Sequence, residues 1–159
     1  MPVSLHRTIA SIETRSIGGN SVKKTFIDTN VVVYANDRRD WTKQRTALDL
    51  IKDLMDSGYG VISTQVLQEF AVTALTKLHQ RSDVVLRTLV LLEALEIVHQ
   101  TPQMIRQAVE LKELYGLSFW DACIISNAEA AGCHLILSED LNPGQFYSGI
   151  QLVNPFSPA

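Results

Sequence analysis

The chain has 159 residues, 46% of them hydrophobic and 19% charged, with a formal net charge of −3; this is enough for one domain with a sizeable core and too little for two of ordinary size. Such a composition excludes disorder over most of the length and argues against a protein that grips nucleic acid by bulk positive charge. Acids gathered in one cleft would relax that second argument, because bound divalent cations reverse the local sign. The longest apolar run, Thr88 to Val98, is broken by Glu93 and Glu96 and falls well short of the ~20 residues of a membrane helix. Cys123 and Cys133 lie in apolar surroundings without a C-x-x-C pairing, the pattern of buried, reduced thiols in a cytoplasmic protein.

Residues 1–23 are rich in Ser and Thr, carry His6, Arg7, Arg15 and Lys23, and have no continuous apolar core. They read as a disordered N-terminal extension, although organelle transit peptides share this composition. Gly18, Gly19 and Asn20 separate them from Lys24 to Asp28, a short β-rich run that reads as a first, buried strand. Asn30 to Asn36 follows as a helix. Asp40 to Asp56 places Trp41, Ala47, Leu48, Ile51, Leu54 and Met55 at helical spacing, and Gly58 closes it. Gly60 to Ser63 is a second strand. Ser63 or Thr64 caps a helix over Gln65 to His79, and another helix over Asp83 to Leu95 leads to a strand at Glu96 to His99. Thr101-Pro102 opens a helix that Gly116 ends, and Ser118 starts one over Phe119 to Ala131. Cys133 to Leu137 is an apolar strand, Ser138 to Gly149 a polar loop, and Gln151 to Val153 a last strand. Short apolar strands separated by helices predict a three-layer α/β/α domain around a central, mainly parallel sheet, spanning 24–156 with a short tail at 157–159.

In such sheets functional groups collect beyond the carboxyl ends of the strands. That rule selects Asp28, directly after Phe26-Ile27, and Asp140, three residues after Leu137. Asp121 sits in the first turn of a late helix, and Glu69 lies within an apolar helix. Each acid alone has an ordinary explanation. Asp28 and Asn30 can cap a helix, Asp121 stands at capping-box spacing from Ser118, and Asp140 lies in a turn-forming Ser-Glu-Asp-Leu-Asn-Pro-Gly run beside Glu139. Glu69 can be solvated or pair with Lys77 or Arg81.

Together, Phe26-Ile-Asp-Thr-Asn30, Gln68-Glu-Phe70, Asp121-Ala-Cys-Ile-Ile125 and Leu137-Ser-Glu-Asp140 resemble, in order and setting, the PIN domain of the bacterial VapC toxins and related ribonucleases. The resemblance runs from about Lys24 to Phe156. It implies a PIN fold and a metal-dependent endoribonuclease, in which Asp28 and Asp121 are the principal metal-binding pair and Glu69 and Asp140 complete the site directly or through water. Mg²⁺ or Mn²⁺ suits such carboxylates, activating water and offsetting charge on a phosphate. Asn30 and Ser138 are candidates to orient a carboxylate or a water. The resemblance further implies an RNA substrate, a cognate antitoxin as in type II toxin–antitoxin pairs, and a homodimer, for which the helices Gln65 to Leu78 and Asp83 to Leu95 offer apolar surface.

Two other readings compete. An aspartate-nucleophile phosphatase also begins with an Asp at a strand exit, but Asn30 stands where its second Asp is required. A PIN-like interaction module without activity would not need all four acids. His79, His99 and His134 show no ligand spacing, and no Gly-rich phosphate loop or G-x-S-x-G setting occurs. Arg38, Arg39, Lys43 and Arg45 can contact RNA phosphates or form a solvated helix face.

Overall fold

The computed structural model describes residues 23–157. The expected N-terminal extension lies outside the described residues apart from Lys23. Among the described residues the strands are β1 (Thr25–Ile27), β2 (Gly60–Ser63), β3 (Glu96–Val98), β4 (Leu135–Leu137), β5 (Phe146–Tyr147) and β6 (Ile150–Val153). The helices among them are α1 (Thr29–Ala35), α2 (Trp41–Ser57), α3 (Thr64–Thr76), α4 (Ser82–Leu92), α5 (Pro102–Tyr115) and α6 (Phe119–Ala130).

The strands form one sheet in the order β3-β2-β1-β4-β6-β5. Pairing is parallel except between β5 and β6, as the alternation of apolar strands and helices predicts. The parallel strands β1, β2 and β4 therefore end at the same rim. β1 lies between β2 and β4, and Thr25, Phe26 and Ile27 have no exposed surface. This is why a three-residue strand can anchor the sheet: each large side chain buried here contributes about 1.5–3 kcal/mol. Val31, Val32, Leu54, Phe70, Ile124 and Ile125 pack against the sheet residues in one core. α6 is buried on all sides from Ala122 to Ala128, the mark of a helix inside the domain rather than on its surface.

The caps follow sequence chemistry. Ser63 accepts from the Val66 amide at 3.3 Å, and Thr101 caps α5 with Pro102 at its first position. Gly58 ends α2 at φ +74°, in the left-handed region where glycine carries no Cβ penalty.

The largest differences from the sequence reading are three. α3 ends at Thr76, and His79, expected inside it, takes φ +51° in the turn beyond. α4 ends at Leu92, because Ala94 and Leu95 donate to Leu91 and Leu92 in a turn leading into β3. The expected loop from Ser138 to Gly149 contains β5, joined to β6 by Ser148 (φ +50°) and Gly149 (φ +78°). Positive φ at both central residues is the hairpin turn whose twist matches the flanking strands.

Candidate active site

Asp28 is the N-cap of α1 and stands at the carboxyl end of β1, so the helix-cap reading and the strand-exit reading describe the same residue. Its Oδ1 accepts from the Thr29 amide at 2.7 Å, and its own amide donates to the Leu137 carbonyl at the end of β4. Its Oδ2 accepts from Ser138 Oγ at 2.7 Å. Only 6% of Asp28 is exposed. Burial pushes its carboxyl up to about 6 against the Ser138 hydroxyl and Thr29 amide, which favour the charged form; the charges of Glu69 and Asp121 push it further up. Carboxylates far apart in sequence thus share one electrostatic environment.

The loop after β4 closes the rim. Ser138 is fully buried and, while donating to Asp28, accepts from Asn30 Nδ2 and from the Asp140 amide, each at 3.2 Å. Asn30 Nδ2 also donates to Asp140 Oδ2 at 3.0 Å, and Asn30 Oδ1 accepts from the Glu139 amide at 3.2 Å. Asn30 therefore binds the loop by both ends of its amide. Glu139 turns away from this group: it accepts from Tyr34 Oη at 2.6 Å and from the Lys43 ammonium. Burial raises the Glu139 carboxyl, but Lys43 and Tyr34 together hold it below its ordinary value.

Glu69 is partly buried and pairs with neither Lys77 nor Arg81. Thr29 Oγ1 and Gln65 Nε2 each donate to one of its oxygens at 2.8 Å. Gln65 also donates to the Trp120 carbonyl at 3.2 Å, tying the start of α3 to the start of α6. There Ser118 Oγ donates to Asp121 Oδ2 at 2.7 Å and accepts from the Asp121 amide at 3.1 Å.

Sequence reasoning missed Thr29, Gln65 and Tyr34, and it read Lys43 as an RNA-phosphate contact or part of a solvated helix face, whereas the Lys43 ammonium is held by Glu139. Gln65 carried a signal, since it precedes Glu69 by four residues and so shares its helix face. Tyr34 and Lys43 carried none, because their common partner is remote in sequence.

Among the described residues, no three His, Cys, Asp or Glu side chains converge closely enough to hold an ion as they stand. The donor set nevertheless suits a hard cation. It consists of oxygens alone, one carboxylate is buried beside like charges, and Mg²⁺ commonly takes one or two carboxylates with water and substrate oxygens filling the rest. Also among the described residues, no helix is long and apolar enough to cross a membrane.

Comparison with solved structures finds the same fold in bacterial toxins. The chain is similar to Mycobacterium tuberculosis VapC20, a sarcin-ricin loop cleaving toxin, with 22% identity, a TM-score of 0.59 and coverage of 73% of this chain and 91% of that one. A toxin–antitoxin complex from Klebsiella pneumoniae is similar at 22% identity and a TM-score of 0.61 over 84% and 99% of the two chains. VapBC2 from Rickettsia felis, bound to a DNA fragment from its promoter, is similar at 20% identity and a TM-score of 0.57 over 80% and 96%. No curated protein sequence matches the chain. The sequence model of the PIN domain matches residues 25–147, the stretch from β1 through β5 that carries all four acids, and the chain belongs to the PIN domain family.

Proposed function

We propose that the chain is a divalent-metal-dependent endoribonuclease and the toxin of a type II toxin–antitoxin pair. The observation that carries the reading is the buried Asp28 carboxylate at the central strand exit, braced by Ser138 and repelled by Glu69 and Asp121. Asp28 and Asp121 would hold Mg²⁺ or Mn²⁺, with Glu69 and Asp140 completing the site directly or through water. When bound, the cation supplies an acidified water and offsets charge on the phosphate being cut. The chain's own residues orient the carboxylates: Ser138 fixes Asp28, Ser118 fixes Asp121, Thr29 and Gln65 fix both oxygens of Glu69, and Asn30 fixes Asp140. No protein nucleophile is required, and Asp28, with both oxygens engaged, does not suit attack on phosphorus as in an aspartate-nucleophile phosphatase.

A cognate antitoxin is supported by the likeness to toxin–antitoxin complexes. A homodimer is supported by exposed apolar side chains, Val72 and Leu75 on α3 with Leu86, Val90 and Leu91 on α4, each 44–68% exposed. The cytoplasm is the compartment in which such a toxin meets its RNA.

The test is cleavage of total cellular RNA by the purified chain with Mg²⁺ or Mn²⁺, its loss with EDTA, and its loss in a folded Asp28→Asn variant. Full activity in that variant would overturn the reading. Absence of cleavage by the parent chain would favour an interaction module instead.

A further inference from the structure

We infer that a basic cavity beside the acidic rim is a binding subsite for a backbone phosphate of the RNA strand leaving the cleavage point. The inference rests on the ribonuclease reading above and deepens it.

Two cavities lie end to end along α1. One, of about 400 Å³, is lined by Thr29, Asn30, Glu69 and Asp140 and extends to Arg39 and Lys77. The other, of about 490 Å³, is bounded by Arg38, Arg39, Lys77 and His79. They share Asp37, Arg39, Lys77 and Leu78 as walls, so one groove runs from the carboxylates to a cluster of cations. Each volume falls within the range of small-molecule pockets.

The charge along the groove is graded. Among the described residues, the only acid in the second cavity's lining, Asp37, is buried and held by the Arg39 fork at 2.8 Å through both Nε and Nη2. Arg38 and Lys77 are exposed and have no ion-pair partner among the described residues. A chain with 17 acids against 14 Lys and Arg thus gathers unspent positive charge at the far end of the groove that starts at its proposed cutting site.

That arrangement answers a physical need. The phosphate being cut can be neutralised by metal, whereas its neighbours on the strand face carboxylate repulsion and need cations of the protein's own. Phosphate contacts of this kind set register and orientation and do not read bases. Leu78 and Val84 give the cavity an apolar wall against which a sugar or base can lie.

The test is a double substitution, Arg38→Gln with Lys77→Gln, keeping Arg39 because its fork neutralises buried Asp37. Cleavage of a labelled twelve-nucleotide RNA pool of mixed sequence is followed with Mn²⁺, and binding of the same pool is followed by anisotropy in the Asp28→Asn background without metal. The expected result is a KM raised about 5- to 20-fold with little change in kcat, and a log–log salt slope of binding reduced by about 0.7, the value for one lost single-strand phosphate contact. Arg38→Lys with Lys77→Arg should restore both. Unchanged KM and slope in a folded variant would overturn the subsite while leaving the ribonuclease reading intact; a parent chain that neither cleaves nor binds the pool would sink both. Unchanged RNA binding combined with loss of affinity for a poly-glutamate peptide would overturn it in favour of an acidic protein partner.

Discussion

Glu139 and Asp140 are adjacent in the chain and face opposite ways: Glu139 is clasped by Lys43 and Tyr34, while Asp140 accepts from Asn30 at the acidic rim. Lys43 lies over the Tyr34 ring at 4.4 Å from its centroid, and that ring meets Phe156 edge-on at 4.9 Å. The clasp therefore joins α1, α2, the loop after β4 and the C-terminal segment.

The two carboxylates should separate under substitution. Glu139→Gln and Lys43→Met should each lower stability by about 1–2 kcal/mol, the scale of a lost charge-assisted hydrogen bond, and change Mn²⁺ affinity less than threefold. Asp140→Asn should do the reverse, keeping the melting temperature and weakening Mn²⁺ binding. Thermal melts with titration calorimetry distinguish them, and a larger metal defect in Glu139→Gln would exchange the roles given to the two.

Asp28 makes a prediction about pH. Its folded carboxyl, at about 6, lies above its ordinary value of 3.8, so between these values the folded state binds the proton more tightly than the unfolded one. Metal-free stability should then fall as pH rises from about 4 to 6, and the cost of holding the charge is fully present above 6. Asp28→Asn should stabilise the metal-free protein at pH 7 by about 1–3 kcal/mol, given ~1.4 kcal/mol per pKa unit, and flatten the pH dependence in that window. Urea melts from pH 4 to 8 in EDTA would show it; a destabilised variant would contradict it. Metal affinity in the parent should rise as pH passes about 6.

Ser138→Ala removes the hydroxyl that donates to Asp28 and accepts from Asn30 and the Asp140 amide. Loss of such an orienting partner typically costs 10- to 100-fold in metal affinity. The Asp28 carboxyl should titrate still higher, because a bond to its charged form is gone. Carboxyl titration by NMR and Mn²⁺ binding measure the two effects, and unchanged values in both would remove Ser138 from the site.

Gly60 opens β2 where α2 and the turn after α4 crowd the strand. A Cβ there would stand 2.5 Å from Leu95 Cδ2 and 2.9 Å from Leu54 Cβ. Gly60→Ala should therefore destabilise the fold by about 1–3 kcal/mol, as overpacking does. Trimming Leu95 to Ala in the same chain should recover part of the loss from Gly60→Ala, readable as non-additive denaturation midpoints.

Periodicity and capping chemistry made most of the fold legible in the sequence. Apolar runs located β1, β2 and β4, and Ser63, Thr101-Pro102 and Ser118 fixed the starts of three helices to within a residue. The hairpin of β5 and β6 escaped because Phe146-Tyr147 is too short to show alternation, although Ser148-Gly149 is a turn signal. The candidate site was legible only as a set of residue types at strand exits and helix starts. What was not legible is which way adjacent side chains turn: nothing in Ser-Glu-Asp separates Glu139 from Asp140 until Lys43, distant in sequence, claims the first. Without the family resemblance, Glu69 read as solvated or paired with Lys77 or Arg81 for the same reason, since its partner Thr29 lies 40 residues upstream.

The sheet order has a temporal side. β1 is made early, yet one of its flanks stays open until β4 arrives, and Ser138 reaches Asp28 across 110 residues. A nascent chain, or one truncated before β4, has Asp28 without its brace and lacks Asp140. Contacts of such long range form late. The carboxylates of the rim thus come together only after the chain through β4 has been made, however early Asp28 itself is in place.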